Sequence, residues 1–162
     1  MPRVYISIGS NIERVANIRA GVAALRACFG NLVISSVYES QPVGFTGDDF
    51  YNLVVGFDTA QDVHDINARL HDIEHRHGRV RNGQRFNSRT LDLDLLLYGD
   101  TVIHERDLTL PRDEILRYAF VLCPLAEIVG DEKHPQNGKS YAVLWDEFDK
   151  RAQPLWAVGF AW

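Results

Sequence analysis

Val4, Ile6 and Ile8 fall on every second position and mark one face of a strand, after which Gly9-Ser10-Asn11 turns the chain. Val15, Ile18, Val22, Leu25 and Phe29 then recur at steps of three and four, which predicts a helix that stops at Gly30-Asn31. Ser10 and Glu13 have the spacing of a capping box at its start. The β-branched run from Leu32 to Tyr38 predicts a second strand, and Phe50 to Phe57 a third that pairs antiparallel with it across the turn-rich loop Gln41 to Asp49. Val63, Ile66, Leu70, Ile73 and His77 mark a second amphipathic helix, closed by Gly78. Leu91-Asp92-Leu93-Asp94-Leu95 is the strictest alternation in the chain and predicts a strand with one acidic face.

Downstream the pattern weakens. A turn at Tyr98-Gly99-Asp100 and a loop through Pro111 precede a helix from about Tyr118 to Ile128 that contains Pro124. Tyr141, Leu144, Trp145 and Phe148 have helical spacing, and the apolar tail Leu155 to Trp162 suits an edge strand. The order β-α-β-β-α-β over the first hundred residues implies an α+β fold: a ferredoxin-like βαββαβ core, helices on one face of a mainly antiparallel sheet, and additional C-terminal helices. No repeat, low-complexity tract or linker interrupts residues 1–162, which read as a single domain.

Charge changes this picture at one place. Seventeen Lys and Arg against 22 Asp and Glu give a net charge of -5, which argues against nucleic-acid or membrane-surface partners. Yet five arginines crowd between His75 and Arg89, and no carboxylate separates Glu74 from Asp92. The N-terminal strand follows at once with no apolar leader, no segment approaches the ~20 apolar residues of a membrane span, and Cys28 and Cys123 read as reduced core thiols. The expectation is a cytoplasmic protein.

Asp92 and Asp94 project from one face of their strand, roughly 6.5 to 7 Å apart. Such a pair suits Mg²⁺, which takes one or two carboxylates together with substrate phosphates; a solvated acidic face is the bland alternative. Arg79, Arg81, Arg85 and Arg89 enter the same strand from a loop, and the guanidinium fork matches phosphate oxygens, although independently solvated arginines would look the same. With no G-x-x-x-x-G-K-[ST] and no protein-kinase signature, a nucleotide would be held by side chains and metal.

Gly78-Arg79-Val80-Arg81 followed by Arg89-Thr90-Leu91-Asp92-Leu93-Asp94-Leu95 resembles the signature of the 6-hydroxymethyl-7,8-dihydropterin pyrophosphokinases, a folate-pathway family. The likeness extends to Gly9-Ser10-Asn11, to Tyr38 through Asn52, and to Phe120-Val121-Leu122 with Pro124-Leu125, nearly the whole chain. It implies transfer of pyrophosphate from ATP to the pterin hydroxymethyl oxygen, giving AMP and the pterin diphosphate, in a monomer that binds only small molecules. By the same resemblance two Mg²⁺ ions sit on Asp92 and Asp94, and Arg79 and Arg89 neutralise charge on the transferred group. Arg81 and Arg85 hold the loop over the triphosphate, and Glu74, Arg112 and Arg117 belong with the ATP. The pterin slot maps to Ser40, Val43 and Asn52, with Phe86 and Phe120 around the ring and Phe50 at a usually aromatic position; core packing would explain Phe50 and Phe120 equally well. One departure lies in the nucleotide half, where Arg112 and Tyr118 replace a family His and Arg.

Two rival readings remain. His71-Asp72-Ile73-Glu74-His75 fits the H-x-x-E-H zinc motif on a helix, against which stands a solvated helix face. A non-catalytic pterin or nucleotide sensor is the other, since this fold class also serves as ligand sensors.

Overall fold

The computed structural model describes residues 1–78 and 90–162. Strand β1 (Arg3–Ser10), helix α1 (Arg14–Phe29), strands β2 (Val33–Ile34), β3 (Val37–Ser40) and β4 (Phe50–Asp58), helix α2 (Val63–Arg76) and strand β5 (Asp92–Tyr98) follow in that order. Beyond them come a hairpin of β6 (Ile103–His104) and β7 (Thr109–Leu110), helices α3 (Glu114–Arg117), α4 (Ala119–Val129) and α5 (Tyr141–Glu147), and strand β8 (Leu155–Val158). The main sheet runs β5-β1-β4-β3-β8 with β2 also on β4, and every pairing is antiparallel. This is the expected α+β arrangement with a βαββαβ core, and the apolar tail forms the expected edge strand.

Alternation along the strands gives the sheet two apolar faces. Val4, Ile6, Ile8, Leu53, Val55, Leu93 and Leu95 meet Ile18, Val22 and Leu25 of α1 and Ile66, Leu70 and Ile73 of α2. Tyr5, Val54, Leu96 and Leu97 point the other way and meet Val121, Leu122, Leu125 and Val129 of α4. The two helices of the core thus share one face, as expected, and the additional C-terminal helix α4 covers the other: it is apolar nearly all round, and burying each such side chain is worth about 1.5–3 kcal/mol, so a second layer forms. Leu96 and Leu97 both reach that layer because the β1–β5 register shifts between Tyr5 and Ile6.

Two local expectations also change. The capping box does not form, because β1 continues in register to Ser10, opposite Tyr51. The Ser10 hydroxyl instead lies 2.5 Å from the Thr90 carbonyl, and α1 begins after Glu13, which takes a left-handed φ of 42°. The strand predicted from Leu32 to Tyr38 breaks at Ser35, whose N–H donates to the Val54 carbonyl while its hydroxyl accepts from the Val54 N–H. A side chain occupying a ladder position splits the run into β2 and β3. The helix ends follow the sequence: Gly30 (φ 82°) and Gly78 (φ 81°) stop α1 and α2 in conformations that cost side-chain-bearing residues. Among the described residues no helix is long and apolar enough to cross a membrane.

Candidate active site

The acidic strand lies at the sheet edge beside β1, with Asp92 opposite Gly9 and Asp94 opposite Ser7. Leu93 and Leu95 enter the core, so both carboxylates face the layer that α4 covers farther along. The Arg112 N–H donates to the Leu96 carbonyl, which brings its side chain alongside. Its Nη2 is 3.3 Å from Asp94 Oδ1 and its Nε 3.0 Å from Glu114 Oε2; the second contact is an ion pair without hydrogen-bond alignment. Burial opposes the Arg112 charge, but Asp94, Glu114, Asp92 and Glu74 together hold its pKa above the ordinary value. Asp94 is pushed up to about 7, first by burial and then by Asp92, with Arg112 pulling the other way. Glu74, 1% exposed, reaches from α2 so that Oε2 accepts the Leu93 N–H at 2.8 Å. Its carboxylate thereby satisfies a backbone donor on the strand edge between the two aspartates.

Across the sheet a neutral pocket forms on the same face. Asn52 lies opposite Gly9 on β1 and opposite Tyr38 on β3, which sets Asn52 and Asp92 in one row two strands apart, about 10 Å by sheet spacing. Asn52 Nδ2 donates to Ser40 Oγ at 2.8 Å, and both residues are buried. A cleft beside them is lined by Ser40, Pro42, Val43, Phe120, Gln153, Pro154 and Leu155. Phe120 stacks on Tyr118 with centroids 5.1 Å apart, and Phe50 meets Phe45 edge-on. Gly9 keeps the ground between aspartates and pocket clear, since a Cβ there would come within 3.0 Å of Asn52 Oδ1. The loop after β3 is tied to the start of α1 by Asn11 Nδ2 donating to the Asp48 carbonyl and Arg14 to the Asp49 carbonyl.

The fold therefore gathers Asp92, Asp94, Glu74 and Arg112 at one end of this row and Ser40, Val43, Asn52 and Phe120 at the other, with Phe50 opposite Ser40 on β4. Arg117 is exposed on α3. Arg79, Arg81, Arg85, Phe86 and Arg89 lie outside the described residues. Sequence reasoning passed over Gly9, Glu114 and Gln153 as site residues. Gly9 stood in a quoted motif, Glu114 is an acid two places from Arg112, and Gln153 carried no local signal. In the H-x-x-E-H segment Glu74 is buried against β5 while His71 and His75 lie on the exposed side of α2, so the helix does not turn the three toward one point. Among the described residues no three His, Cys, Asp or Glu side chains converge to hold a metal.

Residues 5–130 match the family described as 7,8-dihydro-6-hydroxymethylpterin-pyrophosphokinase (HPPK). A curated relative from Synechocystis sp., named 2-amino-4-hydroxy-6-hydroxymethyldihydropteridine pyrophosphokinase, is 34% identical over 156 residues, covering 94% of this chain and 78% of the relative. A relative of the same name from Haemophilus influenzae is 36% identical, covering 81% and 84%, and one from Bacillus subtilis 37%, covering 76% of each. Among solved structures, Plasmodium falciparum HPPK-DHPS wild type with SDX-DHP superposes with a TM-score of 0.74 at 14% identity. That alignment takes in 93% of this chain but 44% of the longer one, and at such identity it speaks for the fold. With a family match over most of its length and relatives above 30% identity, this chain belongs to the 7,8-dihydro-6-hydroxymethylpterin-pyrophosphokinase family.

Proposed function

We propose that residues 1–162 form one pyrophosphokinase domain, a cytoplasmic monomer that transfers pyrophosphate from ATP to the hydroxymethyl oxygen of 6-hydroxymethyl-7,8-dihydropterin in folate biosynthesis, releasing AMP. The observation that carries this reading is the single row Asp92–Gly9–Asn52, which sets a carboxylate pair and a neutral, amide-lined cleft on one face of the sheet with open ground between them. Binding both substrates there turns an encounter of two molecules into a positioned transfer.

The donor set fits Mg²⁺. Two oxygen ligands that repel each other, one of them with its pKa raised to about 7, are stabilised by a hard cation, and magnesium is held by one or two carboxylates with phosphates completing its shell. Asp92 and Asp94 would hold two such ions, which when bound offset negative charge on the triphosphate. Glu74 holds the backbone between the aspartates in place through the Leu93 N–H. Arg112, kept beside Asp94 by Glu114, is a cation positioned to reach a phosphate oxygen. Arg79 and Arg89 neutralise the transferred group, while Arg81, Arg85 and Arg117 add positive charge around the nucleotide. The Asn52–Ser40 pair, joined by a hydrogen bond, suits the amide-like edge of a pterin, and Val43, Phe50, Phe86 and Phe120 supply apolar surface for its ring.

AMP release from ATP, Mg²⁺ and the hydroxymethyl pterin tests the reading, run beside Asp94→Asn and Arg79→Ala. Turnover in the wild type that both variants lose, with pterin affinity retained, is expected. Arg112 and Tyr118, standing where the family has a His and an Arg, favour a second reading, a sensor that binds without turning over. Background AMP release with intact pterin binding would establish it.

A further inference from the structure

The cleft has one wall that lies beyond the family match. That match ends at residue 130, yet Gln153, Pro154 and Leu155 line the cleft together with Ser40 and Val43. Gln153 Oε1 accepts the Ala119 N–H at 2.9 Å, and its Nε2 donates to the Arg117 carbonyl at 2.8 Å. Because one neighbour can only donate and the other only accept, the amide orientation is fixed. The two bonds bracket Tyr118, whose extended backbone (φ -122°, ψ 126°) breaks the chain between α3 and α4 and whose ring stacks on Phe120. Two residues later Leu155 pairs with Ser40 in the β3–β8 ladder. The same short segment therefore grips the Phe120 wall by a side chain and the Ser40 wall by its backbone.

We propose that Gln153 is a positioning residue for the pterin: by holding both peptide groups around Tyr118, it sets Phe120 at a fixed distance from Ser40 and so defines the width of the slot. This rests on the pterin reading of the cleft. A planar heterocycle is bound by close contact on its faces, so a wall released from its anchor costs affinity for the ring and not for the triphosphate.

The test measures, in the full-length protein, the Kd of the hydroxymethyl pterin with Mg²⁺ and a non-hydrolysable ATP analogue present, and the KM of ATP separately. Losing two hydrogen bonds that act only indirectly on the ligand should weaken pterin binding by about three- to tenfold in Gln153→Ala, with the ATP KM unchanged. Arg19→Ala is the control, since Arg19 Nε donates to the Ala161 carbonyl at 2.7 Å and loosens the end of the tail without touching the cleft. Equal pterin affinity in Gln153→Ala and wild type, or an equal loss in Arg19→Ala, would each overturn the assignment. A wild type that binds no pterin would overturn the reading of the cleft itself.

Discussion

The two ends of the row across the sheet treat their polar groups in opposite ways. At the cleft, Ser40 is satisfied by Asn52 beside it, and Gln153 satisfies Ala119 and Arg117, so the walls are held by hydrogen bonds internal to the protein. At the carboxylate end, Asp94 is crowded by Asp92 and Glu114, and Arg112 offsets part of that repulsion. Walls held by internal hydrogen bonds suit the neutral, shaped ligand proposed for the cleft, whereas mutual repulsion of the aspartates suits the cation proposed for them. Gly9 keeps the two environments apart without filling the space between them. On the proposed reading, binding geometry and charge management fall to different strands of one sheet, and they should be separable by mutation.

The largest expected effect breaks the charged end alone. Asp94→Asn should lower turnover by about a thousandfold or more, on the scale of lost charge stabilisation in a transfer reaction, while calorimetry shows the pterin Kd within about twofold of wild type. A comparable loss of pterin affinity would mean that the two ends are one unit. Asn52→Ala attacks the other end and leaves the Ser40 hydroxyl without its amide donor. Pterin binding should weaken by about ten- to a hundredfold, the equivalent of roughly 1–3 kcal/mol, with the Kd of the Mg-ATP complex unchanged.

A smaller effect probes what supports the acidic strand. Glu74→Leu orphans the Leu93 N–H and should cost about 1–3 kcal/mol of unfolding free energy in urea titrations, whereas Glu74→Gln retains an acceptor and should lose less. The smallest effect concerns acid sensitivity away from the carboxylate end, where the raised Asp94 pKa favours the fold as pH falls. His134 is buried between α4 and α5, and its Nδ1 accepts the Gln136 and Asn137 N–H groups, so burial lowers its pKa from the ordinary 6.5. A depressed native pKa means that this stability is present above pH 6.5 and is lost as pH falls below it. His134→Asn should therefore flatten the fall in Tm between pH 7 and pH 5; an unchanged slope would assign that fall to groups other than His134 and Asp94, because a carboxyl raised to about 7 gains stability over the same interval.

Much of the core was legible along the chain. The steps from Val15 to Phe29 and from Val63 to Ile73 are local consequences of helical periodicity, and Gly30 and Gly78 stop those helices through their own backbone freedom. Asp92 and Asp94 share a face because strand geometry leaves no alternative. Where local signals failed, a distant partner had displaced them. Ser10 was drawn from its capping role by Thr90, and Ser35 was drawn into a ladder with Val54. Glu74 is a different case: its helix was predicted, but its placement against Leu93 depended on how α2 packs on β5.

By itself the sequence determined the element order, the apolar faces, the acidic strand and the motifs that carry the family resemblance, because these depend on residues within a few positions of one another. Only the tertiary structure decided that Gly9 would separate Asp92 from Asn52, that Arg112 would settle against Asp94, and that Gln153 would hold the wall bearing Phe120. Those placements depend on strand register and on which buried polar groups find partners across gaps of tens of residues, and no periodicity in the chain encodes them.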